Sequence, residues 1–445
     1  MSIKRVVLAE YYTTDDMTLL FIIREDFDEP HVVEIKKPLK EIRQFVKEHF
    51  SEQIDKDGNV VKTTGQEVKS LDENAFQNFF EPFVAPLMSL STKGDLMTNE
   101  GDIIWFVPHD MLHYVPLHAI KAEGRYLIER NPVCYTPSAS VMKYCQAKSK
   151  GRLEKALVLG DSRNDLIHAR EQAQAVAELF NTKPYLNGQA TKSLVKEKLE
   201  KEGSDIDILH FSCHGKFDPY EPLKSCIVLA PEKDIDKNSS VENDRKWNLT
   251  AEEIFGMEMH ADLVTISTCE SGINDRKPGD ELIGLTRSLI YAGTPSVVVS
   301  LWSVDEISTS ILMRKFYQAL TGANKAEALQ KAQIELMGLT AEDVIAYCKE
   351  AKENLIGPDA LDAQRLLDRN IADMQYNARD FEEALNGYTR LCHGLNPDSK
   401  EYKHLKNMVS VCNLAKSTPK PIDYQIKLYT RPYHWASFIL VGYWK

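Results

Sequence analysis

Short apolar runs broken by polar turns divide the chain into three textures. At the start, RVVLAEYY and TLLFIIRE within residues 5–24, joined by the polar TTDDM, predict two strands and a turn. A helix is expected at about 39–50. Residues 51–70, polar with Gly and Asn, read as an exposed connection. Residues 72–91 put Phe76, Phe79, Phe80, Phe83 and Leu87 on one helical face, and Ile103 to Val107 follow as a buried strand. From about 153 the pattern changes to strands that are apolar at nearly every position, alternating with helices. KALVLGD (155–161), DILHFSC (207–213), SCIVLA (225–230), DLVTIST (262–268) and SVVVSLW (296–302) are the expected strands. Helices are expected near 169–180, 191–201, 250–256, 281–292, 308–320 and 323–337. Such alternation implies a mostly parallel sheet covered on both faces.

Residues 339–425 show no strand signal and read as helical throughout. IADMQYNARDFEEALNGYTRLCHGLNPDS (371–399) resembles one tetratricopeptide repeat, with Tyr376, Phe381, Ala384, Leu385, Tyr388, Leu391 and Pro397 near its packing positions. A plain amphipathic hairpin fits the same residues. Strand character returns in WASFILVGYW (435–444). The expected organisation is an N-terminal α/β half at 1–150, a second α/β half at 151–338, a helical insertion at 339–430 and a final strand within 431–445.

Composition narrows the function. The 445 residues carry a net charge of -12, which argues against direct affinity for nucleic acid, and no apolar run approaches the length of a membrane span. The beginning turns polar and acidic too soon for a signal peptide. Eight scattered cysteines without a CxxC pair suit reduced thiols, so a cytoplasmic location is expected.

Two segments carry chemistry. In ILHFSCHGKFD (208–218) a strand ends at His214, followed by Gly215, where open parallel sheets place their sites. His210, inside that strand, reads as a buried, satisfied histidine. LVTISTCESG (263–272) repeats the grammar and ends at Cys269, 55 residues after His214. A thiol at a strand end becomes a nucleophile when a nearby imidazole accepts its proton, and the spacing matches that of caspases. The alternative is a strand-end cysteine that only packs.

HFSCHG and STCESG, with LTAEEIF (249–255), YLIERNPVCYTPSAS (126–140), GDELIGLTRSLIYAGTPSVVVSLWSVDE (279–306) and RPYHWASFILVG (431–442), resemble the CHAT domain. That family is grouped with caspases, separase, gingipain and clostripain. The resemblance runs from about 6 to 338 and resumes at 431–442; the helical stretch between is not typical. It implies a caspase-like α/β sandwich in which His214 is the general base and Cys269 the nucleophile. The backbone N–H groups of Gly215 and Cys269 would form the oxyanion hole. The family works as a dyad, and no third member is visible. Glu270 is assigned no role. An acidic residue after the strand next to the Cys strand meets a basic P1 side chain in separase-like relatives. Asp305 is the first candidate for that place, with Asp280 and Glu281 behind it, although Asp305 and Asp280 also precede helices and could cap them.

His109, His113 and His118 lie too close to Pro108 and Pro116 to converge as a helical metal site, so no metal or other cofactor is expected. Gly160-Asp161-Ser162 after a strand resembles a phosphate loop only faintly, since the Gly-rich spacing and the Lys are missing. The leading expectation is a regulated intracellular cysteine endopeptidase acting on protein or peptide substrates, with a regulatory protein contacting the helical insertion. A non-catalytic adaptor and a thiol-based peptide ligase are the competing classes. The resemblance also implies prokaryotic stress, death or defence systems as a setting.

Overall fold

In the computed structural model, residues 5–445 are described except 51–52, 55–59, 63–70, 92–93, 217–220, 233–245, 268–280, 303–304, 354–359 and 418–419. Two compact units divide the chain: Met1–Ile334 with Pro432–Lys445, and Glu335–Arg431.

The first unit is built on an eleven-stranded mixed sheet. Its strands in chain order are β1 (Val6–Thr13), β2 (Thr18–Ile23), β3 (His31–Ile35), β4 (Ile103–Val107), β5 (Val133–Tyr135), β6 (Ala156–Gly160), β7 (Tyr185–Leu186), β8 (Ile208–Ser212), β9 (Leu263–Ile266), β10 (Ser296–Ser300) and β11 (Phe438–Gly442). Their order across the sheet is β7-β6-β8-β9-β10-β11-β5-β4-β1-β2-β3. The strands β7, β6, β8, β9 and β10 are parallel. Next to them β11 runs antiparallel to β10 and parallel to β5, which continues in parallel through β4 to β1. The two parallel groups therefore point opposite ways, and β11 joins them. Every residue of β8, β9 and β11 is buried, so both faces of the sheet are covered there.

Among the described residues the helices of five residues or more that lie in or begin in this unit are α1 (Leu39–Phe50), α2 (Glu73–Val84), α3 (Ala139–Lys148), α4 (Ile167–Leu179), α5 (Lys192–Glu202), α6 (Ala251–Phe255), α7 (Glu281–Ala292), α8 (Glu306–Leu320) and α9 (Lys325–Gly338), the last continuing past Ile334 into the second unit. In the N-terminal half Tyr11 donates from its hydroxyl to the Phe83 carbonyl at 2.8 Å, and Phe45 stacks on Phe79, so α1 and α2 cover the face that carries Tyr11. Gly442 closes β11 with φ +100, and a Cβ there would lie 2.2 Å from the Pro295 carbonyl oxygen, so no other residue fits.

Three expectations need correction. SCIVLA does not join the parallel sheet. Cys226–Ile227 pairs antiparallel with Gly215–Lys216 and Leu249–Thr250 in a separate three-stranded sheet, because its chain lies beyond the end of β8 and not beside it. β3, β5 and β7 were not anticipated, being short or partly polar. Within 51–70, Gln53–Ile54 and Val60–Lys62 pair as a hairpin instead of forming a plain connection.

The second unit contains α10 (Ala341–Glu353), α11 (Ala360–Asn377), α12 (Phe381–Cys392) and α13 (Lys400–Ala415). Ala372, Ala384, Tyr388, Leu391, Leu405 and Cys412 form its core, with Tyr376, Phe381 and Leu385 packed against them. A Cβ on Gly387 would meet the Ala372 Cβ at 2.9 Å, so this pair of small residues sets how closely α11 and α12 approach.

The histidines near 109–118 serve packing. Thr13 bonds the His109 Nδ1 at 2.6 Å, and the Tyr135 hydroxyl lies 2.8 Å from the Nδ1 of buried His118. Burial pushes His118 down to about 3, His113 down to about 4 and His210 down to about 3. Each of these groups takes up a proton when the chain unfolds below the ordinary value of 6.5. Their contribution to stability is intact above that value and is lost as pH falls toward 3–4, at about 1.4 kcal/mol per pH unit for each histidine. Urea denaturation between pH 7 and pH 5 should show stability falling with acid, and His210→Asn should flatten the dependence by about one proton.

Candidate functional site

The site begins where β8 ends. Residues Ile208 to Phe211 pair with Leu263 to Ile266 in parallel register, and the Ser267 N–H extends the ladder by donating to the Phe211 carbonyl at 2.8 Å. Beyond Ser212 the chain turns into the small sheet, where the Val228 N–H donates to the His214 carbonyl at 2.8 Å. Antiparallel ladders alternate bonded and non-bonded pairs, so the next pair, Gly215 and Ile227, is non-bonded. The Gly215 N–H is thereby turned away from the Cys226–Ile227 strand.

His214 thus stands at the edge of the sheet with its side chain 15% exposed. Its Nε2 lies within hydrogen-bond distance of Asp165 Oδ1, at 2.9 Å, an acid the sequence reading missed. Glu306, the first residue of α8, belongs to the same surroundings. Burial raises its carboxyl pKa, the charges of Asp305 and Asp165 add to the rise, and His168 and His214 oppose it. Asp305 caps α8, its Oδ2 accepting from the Ser308 N–H at 3.0 Å.

Below this edge two polar bridges tie β8 to β9. Strand alternation puts His210 and Ser212 on one face. The Tyr317 hydroxyl of α8 donates to Thr265 Oγ1 at 2.7 Å. Its proton being spent, it accepts from His210 Nδ1–H at 3.1 Å. His210 is buried, as its place in the strand suggested, but among the described residues its Nε2 has no hydrogen-bond partner, so it is not fully satisfied there. One pleat further, Gln172 of α4 accepts from the Ser212 hydroxyl at 2.6 Å and donates its Nε2–H to Ser267 Oγ at 2.9 Å. Gln172 had a legible signal: it interrupts the apolar face formed by Ala173, Val176 and Ala177.

Cys213, adjacent to His214, is fully buried, and that burial pushes its thiol up to about 12. It is suited to packing, not to nucleophilic attack. Cys134, Cys145, Cys226, Cys348, Cys392 and Cys412 are likewise buried. Cys269 and Asp280 lie outside the described residues; Glu281 opens α7, and its side chain also lies outside them.

A mostly parallel sheet flanked by helices, with a histidine presented at the end of one central strand, defines a caspase-like α/β sandwich. Residues 72–443 match the family model described as CHAT domain, and the chain belongs to that family. It is similar to tetratricopeptide repeat protein 28 of Mus musculus, 24% identical over 311 residues, and to that of Homo sapiens, 24% identical over 306. These matches take in 58% and 56% of this chain but only 12% of each relative, so the chain spans a small part of their length. A likeness to the Saccharomyces cerevisiae separase–securin complex has a TM-score of 0.44 at 10% identity, covering 74% of this chain and 29% of that one. Among the described residues no helix is long and apolar enough to cross a membrane.

The Gln172 bridge can be tested directly. Gln172→Leu leaves the buried hydroxyls of Ser212 and Ser267 without each other's partner and should destabilise the protein by about 2–4 kcal/mol in urea denaturation. Adding Ser212→Ala and Ser267→Ala should recover much of that loss, because all members of the bridge are then apolar.

Proposed function

We propose that the chain is a cysteine endopeptidase in which His214 is the general base and Cys269 the nucleophile. One observation carries the reading. The β8–β9 ladder pairs residues at a constant offset of 55 positions, Ile208 with Leu263 through Phe211 with Ile266. His214 and Cys269 are separated by the same 55 positions. That match supports a dyad at the ends of two neighbouring parallel strands.

In this mechanism His214 accepts the Cys269 thiol proton and the thiolate attacks the scissile carbonyl. The N–H groups of Gly215 and Cys269 hold the oxyanion. His214 then protonates the leaving amine, and water, deprotonated by the same imidazole, hydrolyses the thioester. Regulation belongs to the proposal as well: a protein partner contacting the helical unit is the natural means of control. We place the enzyme in the cytoplasm.

Cys269→Ala and His214→Ala should each abolish cleavage of a peptide library, with no further loss in the double variant. Cys269 should be alkylated by iodoacetamide faster than the buried cysteines, and His214→Ala should slow that reaction at neutral pH. Full cleavage by Cys269→Ala would refute the assignment. Cleavage absent with and without candidate partners, together with no selective alkylation, would favour a binding protein instead.

Specificity is proposed to follow from Asp305, which favours Lys or Arg at P1. Asn caps a helix as well as Asp does, so Asp305→Asn removes the charge and keeps the cap. It should weaken transition-state binding of basic P1 substrates by about 2–4 kcal/mol in kcat/KM and leave neutral ones nearly unchanged. Asp280→Asn and Glu281→Gln serve as comparisons, and an equal loss for neutral P1 would remove the claim.

A further inference from the structure

In the loop Asp161-Ser162-Arg163-Asn164-Asp165 that follows β6, the chain's own aspartate occupies the backbone amides at the start of the next helix. Asp161 is fully buried, and its Oδ1 accepts from the N–H groups of Asp165 at 2.8 Å and Leu166 at 2.9 Å. Its Oδ2 is paired with Arg170 through Nη2 at 2.6 Å and Nε at 3.0 Å, and the same guanidinium reaches Asn164 Oδ1 at 2.7 Å. The backbone is fixed from below as well. The Asp161 N–H donates to the Ser212 carbonyl at 2.8 Å, and the Ser162 hydroxyl to the Val228 carbonyl at 2.6 Å. Both anchors lie on segments that flank His214.

Two further features show that this shape is imposed. Asp161 and Asn164 have φ of +44 and +62, left-handed conformations that Asp and Asn adopt more readily than other side chains. A Cβ on Gly160 would meet the Ala173 Cβ at 2.5 Å, so α4 sits against the strand end only because that residue is glycine. A buried charge pair is a costly way to build a surface loop. The side chain the loop delivers is Asp165, 56% exposed, with its Oδ1 2.9 Å from His214 Nε2.

We infer that Asp165 is a positioning residue that turns the proposed His214/Cys269 pair into a triad. The inference rests on the peptidase reading for its catalytic meaning. The carboxylate accepts the Nε2–H of neutral His214, which leaves the lone pair on Nδ1 as the base. When Nδ1 takes the thiol proton, the imidazolium is paired with the Asp165 carboxylate, which itself stays ionised. The proton returns from Nδ1 to the leaving amine, so the charge on Asp165 is unchanged over the cycle. Held by the Asp161 loop, the carboxylate restrains ring rotation despite its exposure to water.

The test uses the full chain labelled with 15N-histidine at neutral pH, with His214 assigned from the His214→Ala spectrum. Wild type should show His214 protonated on Nε2. Asp165→Ala should lose that preference while the other histidines keep their signals, and it should slow alkylation of Cys269 by about tenfold or more. Asp165→Glu, which restores a carboxylate, should recover part of both. A wild-type ring protonated on Nδ1, or a tautomer unchanged in Asp165→Ala, overturns the inference whatever the chain cleaves. The expected tautomer change in a chain that cleaves nothing and shows no selective Cys269 alkylation would uphold the positioning contact and refute the peptidase reading.

Discussion

When all positions of two parallel strands are apolar and buried, a slip by two residues changes little in the hydrophobic energy. Burial alone therefore does not fix the register of β8 on β9. Polar side chains fix it here. His210 and Thr265 meet through Tyr317, and Ser212 and Ser267 meet through Gln172, two bridges one pleat apart. A slip would leave these groups unpartnered in a dry interface, at about 1–3 kcal/mol for each. The alignment at the sheet edge depends on those bridges, as does the direction in which His214 leaves the strand. The helices α4 and α8 that supply Gln172 and Tyr317 also begin beside His214, so packing and presentation share the same elements.

The strands nearest the site were legible because each is a short, nearly uninterrupted apolar run ended by small or polar residues. Ile208–Ser212, Leu263–Ile266 and Ser296–Ser300 lie inside the runs read from the sequence. SCIVLA has the same apolar texture and a different fate, because texture reports burial and not partnership. Val133–Tyr135 and Tyr185–Leu186 are too short to carry a period. His214 was legible from its place after a strand and before Gly215. Asp165 was not: an acid in a polar loop has no distinguishing neighbour, and its contact with His214 appears only once Asp161 has folded the loop against β8. Asp305 was legible as a choice between a cap and a specificity group, and the cap is present.

The helical unit shows the same division between pattern and partner. Of the packing positions read from their spacing, Tyr376, Phe381, Ala384, Leu385, Tyr388 and Leu391 meet in one core, whereas Pro397 is exposed and lies outside it. The close approach of Gly387 to Ala372 was hidden, since two small residues leave no hydrophobic signature.

The place of β11 has a consequence for how the molecule is made. Residues 438–442 bridge the two oppositely directed halves of the sheet, pairing β10 on one side and β5 on the other. During synthesis each half can gather its own strands early, but the seam between them stays open until the helical unit has emerged and β11 follows it. Contacts so distant in sequence form slowly, and an unpaired edge invites association with other chains. The half-finished sheet is thus the state in which the nascent chain is most exposed to misassembly, and a truncation that removes only β11 would leave it there permanently.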